Sequence, residues 1–275
     1  MKIITLVENN STSSELQSEH GLSLYIETAS HKILFDLGAS SLFAENAEKL
    51  GVNLKNVDIV IISHGHYDHG GGLNKFLSIN SISKIYININ AFGDYYSLRP
   101  TGDIGYIGLD KTIKDNERII FTENYYKIDK CLELFSDVRE RILFSTVNKV
   151  LKKKIDEKYI DDDFIHEQNL IITENGKTVL FAGCAHNGII NIINKSIVLK
   201  GKMSEVVIGG FHLTSPRFKK NEDVNLIEAI GETLIKYNTM YYTCHCTGEI
   251  PYKQLKEKLC NKIEYISIGS IINID

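Results

Sequence analysis

Three imidazoles and a carboxylate fall within six consecutive positions: His64, His66, Asp68 and His69, in the stretch SHGHYDHGGGL at 63–73. Burying that many polar side chains without partners costs several kcal/mol, so packing alone does not account for them. As metal ligands they make sense, because imidazole and carboxylate together suit zinc, iron or manganese. Alternate residues of an extended segment point the same way, so His64, His66 and Asp68 are expected on one side. A turn at Asp68-His69 would swing the last imidazole toward a second ion. Gly65, Gly70, Gly71 and Gly72 let the backbone crowd such a cluster and leave it sharply.

Something rigid has to hold these side chains. Directly before them, Asp58 to Ile62 is a β-branched run that reads as a strand buried on both faces and ending at Ser63. The same arrangement recurs three times. Val179-Leu180-Phe181 runs into Ala182-Gly183-Cys184-Ala185-His186, Glu205–Gly210 runs into Phe211-His212, and Met240–Thr243 runs into Cys244-His245-Cys246. Each imidazole stands just past the end of an apolar strand, and ligands at neighbouring strand ends can form one site although far apart in sequence.

The remaining pattern predicts strands over 2–8, 20–27 and 32–38, with a turn at Ala29-Ser30-His31, and a helix over 41–50 stopped by Gly51. A short helical segment at 73–77 and a strand at 82–89 follow. A hairpin joins 167–173 to 178–181 around Glu174-Asn175-Gly176-Lys177. Helices from Ile189, over 224–237 and over 251–259, and a closing strand at 263–268, complete a layered protein of mixed strands and helices. Between 91 and 166 this rhythm breaks. That stretch reads as a lid or substrate wall, with a polar helix over 150–159 carrying Lys152, Lys153 and Lys154. Within it Arg99 is a candidate two-pronged clamp for an anion, and Tyr95, Tyr96 and Tyr106 are candidates to stack on a flat substrate.

Composition narrows the partners. The net charge of −4, from 31 basic and 35 acidic residues, gives no basic footprint, so no nucleic-acid partner is expected. No stretch reaches the apolar length of a membrane span, and the start MKIITLVENN has too short an apolar core for a signal peptide. Five cysteines without framework spacing suit a reducing compartment. A cytoplasmic protein acting on a small molecule, outside the membrane, is the expectation; a homodimer stays open.

The stretch at 63–73 resembles the HxHxDH signature of the metallo-beta-lactamase fold superfamily, a group of binuclear metallohydrolases and some oxidoreductases. Together with GCAHNGIIN at 183–191, GGFHL at 209–213, HCTG at 245–248, EHGLSLYIE at 19–27 and LFDLG at 34–38, it is similar to one branch in particular. That branch comprises the metal-dependent hydrolases related to dihydropterin 6-methyl-ribofuranosylaminobenzene 5′-phosphate synthase. The resemblance implies an α+β fold, the four-layered αββα sandwich, as a single domain over 1–275 with the inserted region at about 91–166. It implies two divalent metal ions, zinc foremost, with iron or manganese open. His64, His66 and His186 are assigned to the first ion and Asp68, His69 and His245 to the second, with a metal-activated hydroxide as nucleophile.

Where the superfamily pattern places a bridging aspartate this chain has Cys184, which is a thiolate ligand, a small buried residue, or the sign of a weakened second position. His212 is left over, as a ligand, an acid or base near the substrate, or an anion donor; with Asp68 it is a candidate catalytic residue. Asp36 in LFDLG is either a carboxylate that orients a ligand or a turn residue. Cys244 and Cys246 would point away from His245 on an extended segment, so no separate cysteine site is expected. His20, His31 and His166 are left to structural or surface roles, although His20 precedes Gly21 in a segment that can reach the site. The implied function is hydrolysis of a small phosphate-bearing or ester metabolite. The alternatives are a dihydropterin-type synthase acting as lyase or transferase, and a non-catalytic metal-binding protein.

Overall fold

Runs such as Ile59–Ile62, with every side chain buried, form the interior strands of a computed structural model that describes residues 1–275. The fold is α+β, with two mixed seven-stranded sheets and helices flanking them. No helix is long and apolar enough to cross a membrane.

The chain divides into two compact units. One comprises Met1–Gly93, Gly108–Glu123 and Ile266–Asp275. Its sheet runs in the order Ile271–Asn273, Lys2–Val7, Ser23–Glu27, Lys32–Phe35, Ile59–Ile62, Lys84–Asn88, Ile119–Thr122. The first four strands pair antiparallel and the rest parallel. The helices Leu42–Lys49 and Leu73–Ile79 send Phe43 and Phe76 into one apolar cluster with Leu34, Val60 and Ile85.

The other unit comprises Asp94–Ile107 and Asn124–Tyr265. Its sheet runs Ile263–Tyr265, Met240–Thr243, Val206–Gly209, Lys177–Phe181, Asn169–Glu174, Leu132–Phe135, Tyr125–Lys127, the first four parallel and the rest antiparallel. Helices Ile189–Lys200, Val224–Leu234 and Glu249–Leu259 share an apolar cluster with Leu180, Val207 and Tyr241. Each unit thus supplies a sheet with its helices, the two-layer half of which an αββα sandwich has two.

Residues 91–166 are distributed rather than gathered into one wall. Ile119–Thr122 extends the first sheet, Tyr125–Lys127 and Leu132–Phe135 extend the second, and Tyr95–Leu98, Ile104–Tyr106, Leu151–Ile155 and Lys158–Asp161 make a separate four-stranded antiparallel sheet. The helix expected over 150–159 is a β-hairpin. Asp156 and Glu157 both take positive φ, 46° and 64°, which is the two-residue turn whose twist matches paired strands. Across that hairpin Lys152 meets Asp161, and Lys153 reaches Asp163 at 2.6 Å, so the lysines answer carboxylates across strands and not along a helix.

Candidate metal centre

In the first unit the strand Ile59–Ile62 delivers Ser63 and the ligand-type side chains, all buried: His64 and His69 are fully covered, and His66 and Asp68 nearly so. The extended course ends earlier than the spacing suggested. His66 is extended, but Tyr67–Gly70 is a helical turn, so Asp68 and His69 project from a helix start. The His64 ring still lies 4.6 Å from that of His66 and 4.1 Å from that of His69.

Asp36 settles the orientation of two of these rings. Its carboxylate accepts hydrogen bonds from the Ser63 N–H at 2.7 Å, the Ser63 hydroxyl at 2.7 Å and His69 Nδ1–H at 2.6 Å. The one hydroxyl hydrogen of Ser63 is thereby used, so Ser63 Oγ, 2.9 Å from His64 Nδ1, accepts from that nitrogen. Both His64 and His69 therefore carry their proton on Nδ1 and present Nε2 as a lone pair, the arrangement in which an imidazole binds a metal. Asp36 holds a left-handed backbone, φ 62°, which a non-glycine residue adopts at a cost that the three hydrogen bonds offset. Asp36 thus bonds both the motif serine and a motif imidazole. Ser63 had no mark in the sequence beyond its place before the motif. His20 joins from the side, its Nε2 3.3 Å from Asp68 Oδ2.

In the second unit the three Gly-rich strand ends come together. The ligand atoms of Cys184, His186 and His212 lie within 4.8 Å of one another, and so do those of Cys184, His245 and Cys246. Ala185, His212 and His245 all take positive φ, 55°, 47° and 46°, so each strand end bends sharply at the site. A threonine pair ties two of these ends. Thr243 Oγ1 donates to the Gly209 carbonyl at 3.0 Å and accepts from Thr247 Oγ1 at 2.5 Å, while Thr247 Oγ1 accepts the Phe211 N–H at 2.9 Å.

His186 is held on every side. Asn148 Nδ2 donates to the His186 carbonyl at 2.9 Å, which turns Asn148 Oδ1 toward His186 Nδ1 at 3.1 Å. Nδ1 is then the protonated nitrogen and Nε2 carries the lone pair. Phe164 stacks flat on the ring at 4.7 Å, and the His186 and Asn187 N–H groups donate to the Glu167 carboxylate at 2.6 and 2.9 Å. Burial pushes the Glu167 carboxyl above its ordinary range despite those donors. Neither Asn148, Phe164 nor Glu167 carried a signal in the sequence, since each acts on a residue 19 to 38 positions away.

Cys246 is a correction. It was expected to point away, but the chain is extended only at Cys244, φ −165°, and then turns at His245, which brings the Cys246 sulfur into the cluster. His166 is a second. It is fully buried, with Nε2 3.0 Å from Asp162 Oδ2 and its ring 4.0 Å from that of Tyr95. Tyr95, offered as a stacking platform, is itself buried, and burial with the charges of Asp162 and Asp163 pushes its hydroxyl far above the usual tyrosine range. Tyr96 meets Tyr106 and Tyr159 edge-on at 5.3 and 5.0 Å. Arg99 pairs with Asp103 at 3.6 Å, half-exposed in the turn between Tyr95–Leu98 and Ile104–Tyr106.

Residues 19–94 match the family model of the metallo-beta-lactamase superfamily. The chain is 28% identical over 282 residues to an uncharacterized protein, MJ0448, of Methanocaldococcus jannaschii, covering 99% of this chain and 100% of that one. It is 29% identical over 292 residues to the 7,8-dihydropterin-6-methyl-4-(beta-D-ribofuranosyl)-aminobenzene-5′-phosphate synthase of the same organism, covering 99% and 96%. Among solved structures it is similar to Tm1679, described as a metal-dependent hydrolase of the beta-lactamase superfamily, with a TM-score of 0.80 and 28% identity over 100% of this chain and 99% of that one.

Proposed function

We propose, from the likeness to the metallo-beta-lactamase superfamily model, to Tm1679 and to the dihydropterin synthase, that the chain is a metal-dependent hydrolase of a small phosphate-bearing or ester metabolite. One observation carries the reading: His64, His66, Asp68 and His69 are buried together, with Asp36 and Ser63 holding two of the imidazoles in the tautomer that offers Nε2 outward. Those donors fit a divalent ion. When bound, such ions polarise a phosphoryl or carbonyl oxygen and make water a nucleophile near neutral pH.

The assignment of His64, His66 and His186 to one ion and of Asp68, His69 and His245 to the other is part of this proposal, as is zinc, to which the nearby thiols incline the choice. The protein's own work is to keep the rings from turning. Asp36 fixes His69 directly and His64 through Ser63, while Asn148 and Phe164 fix His186. His212, whose Nδ1 is buried with no hydrogen-bond partner, is the group left to serve the substrate as an acid or base.

The test is to purify the protein without added metal, measure its metal content, and screen phosphate monoesters, diesters and carboxylic esters before and after chelation. Hydrolysis that is lost on chelation, restored by zinc, and lost in a folded H64A variant supports the reading. Metal-loaded protein that turns over no ester in any class refutes it. A second reading, a synthase acting on a phosphoribosyl aminobenzoate, is favoured by the full-length likeness to the dihydropterin synthase. Incubation with such an analogue and a pterin, followed by product analysis, separates the two.

A further inference from the structure

We infer that Cys246, which the hydrolase reading leaves without a role, is a metal ligand, and that Cys184, His245 and Cys246 make a thiolate-rich position selecting a thiophilic divalent ion. The inference rests on the metal-dependent reading and sharpens it, since hydrolases of this kind can be served by nitrogen and oxygen donors alone.

Three independent features place the sulfur where a ligand belongs. First, Cys184 Sγ, Cys246 Sγ and a His245 ring nitrogen lie within 4.8 Å of one another, in side chains no more than 3% exposed. Two thiolates and an imidazole are a three-donor set that zinc accepts, and on this inference they replace the grouping of His245 with Asp68 and His69.

Second, the backbone is bent to bring Cys246 there. On a straight strand Cys244 and Cys246 would lie together, opposite His245. Here His245 takes φ 46° and Cys246 turns into the cluster. A left-handed histidine costs about 1–3 kcal/mol. Packing a small thiol does not require that expense, because buried cysteines ordinarily behave as small apolar residues in relaxed backbone.

Third, room has been left for the sulfur. A Cβ on Gly210 would stand 2.4 Å from Cys246 Sγ, and Gly210 is not in the left-handed region, so no conformational need explains a glycine there. The space serves the sulfur, whose proton, given to the Cys184 carbonyl at 3.3 Å in the metal-free protein, would leave on binding an ion.

Cys184 also lies within 4.8 Å of the His186 and His212 donors, so its sulfur is common to two three-donor groups. At the place where the superfamily pattern has an aspartate, the Cys184 sulfur would be available to hold an ion in either group.

The experiment uses the full chain, stripped by chelator under reducing, anaerobic conditions and titrated with cobalt(II). Thiolate ligands give a near-ultraviolet sulfur-to-cobalt charge-transfer absorption that imidazole and carboxylate do not. The expected result is a strong band in the wild type, weakened to roughly half in C246S, weakened at least as far in C184S, and unchanged in C131S and C260S. X-ray absorption of the zinc-loaded wild type, which needs no substitution, should show sulfur neighbours at about 2.3 Å. Stoichiometric cobalt with no such band, or a band untouched by C246S, overturns the inference and leaves the hydrolase reading standing. A Cys184–Cys246 disulfide in protein kept anaerobic also overturns it. Failure to bind any ion sinks both readings together.

Discussion

Replacing Asp36 by asparagine tests whether the buried carboxylate, rather than the ligands themselves, sets metal affinity. The substitution is nearly isosteric and suits the local backbone, because asparagine is one of the few residues that accept the left-handed conformation Asp36 holds at φ 62°. What changes is hydrogen-bond polarity. Asp36 Oδ2 accepts from both the Ser63 hydroxyl at 2.7 Å and His69 Nδ1–H at 2.6 Å, and Oδ1 accepts the Ser63 N–H at 2.7 Å. An amide has one oxygen for these two places. If its NH2 takes the Oδ2 position, His69 Nδ1 must become an acceptor, its proton moves to Nε2, and the ligand lone pair is gone. If the amide turns over, its NH2 faces the Ser63 N–H, and two donors are buried against each other.

The first outcome reverses the partner that orients His69, which for an imidazole holding a metal would cost about 10–100-fold in affinity, or roughly 1.4–2.8 kcal/mol; the second keeps that partner and instead costs about 1–3 kcal/mol of stability. Asp36→Ala goes further. It strands three buried donors, frees the Ser63 hydroxyl to turn toward His64 and invert that tautomer too, and adds about 1 kcal/mol of left-handed strain. The assay is competition for zinc against a chromophoric chelator, with thermal unfolding of the chelator-stripped protein as a control for folding. The expected result is that D36A binds zinc most weakly, and that D36N either falls between it and the wild type or keeps its affinity with a lowered unfolding temperature. Zinc affinity of D36N within about twofold of wild type, a loss of only about 0.4 kcal/mol, together with an unchanged unfolding temperature would refute the argument, since neither the tautomer reversal nor the buried pair of donors would then have a cost.

Three further outcomes follow from particular contacts. Burial pushes the Glu222 carboxyl up, but hydrogen bonds from Asp223, Thr146 and Ser145 outweigh it and hold the group below its ordinary value of 4.5. A depressed folded value stabilises the fold above 4.5 and loses that contribution as pH falls through it. The wild type should therefore exceed E222Q by about 1–3 kcal/mol at neutral pH and converge with it in acid, as read by denaturant melts across pH. Gly210→Ala should cost about 1–3 kcal/mol by crowding Cys246 Sγ, and the double substitution G210A/C246A should recover most of it relative to C246A alone. At the hairpin tip, D156N/E157G places the preferred residues at two positive-φ positions and gives up only an exposed Lys154–Glu157 pair, so the unfolding temperature should rise by about 1–3 °C.

What could be read from the sequence and what could not divide along a physical line. The motif histidines were legible because their signal is local: a β-branched run, then a density of imidazoles that packing does not explain, all within a dozen residues. His186, His212 and His245 were legible for the same reason, each at the end of its own apolar strand. Asn148 and Cys246 were not, because each gains its role from the fold. Asn148 is an ordinary polar residue until it meets His186, 38 positions on, and Cys246 is a thiol on the wrong face until His245 takes a backbone conformation that its residue type does not favour. The lysine run at 152–154 shows the same limit from the other side. Its composition suits a solvated helix, and only the pairing of Lys152 with Asp161 across a tight turn makes a strand the better use of it. In this chain the histidines announce themselves by type and spacing, whereas Cys246 and the residues that decide which lone pair each ring presents are chosen by geometry. That makes Asp36, Ser63, Asn148 and Gly210 more informative positions to substitute than the ligands: removing a ligand abolishes a site whatever its design, but altering one of these tests the design itself.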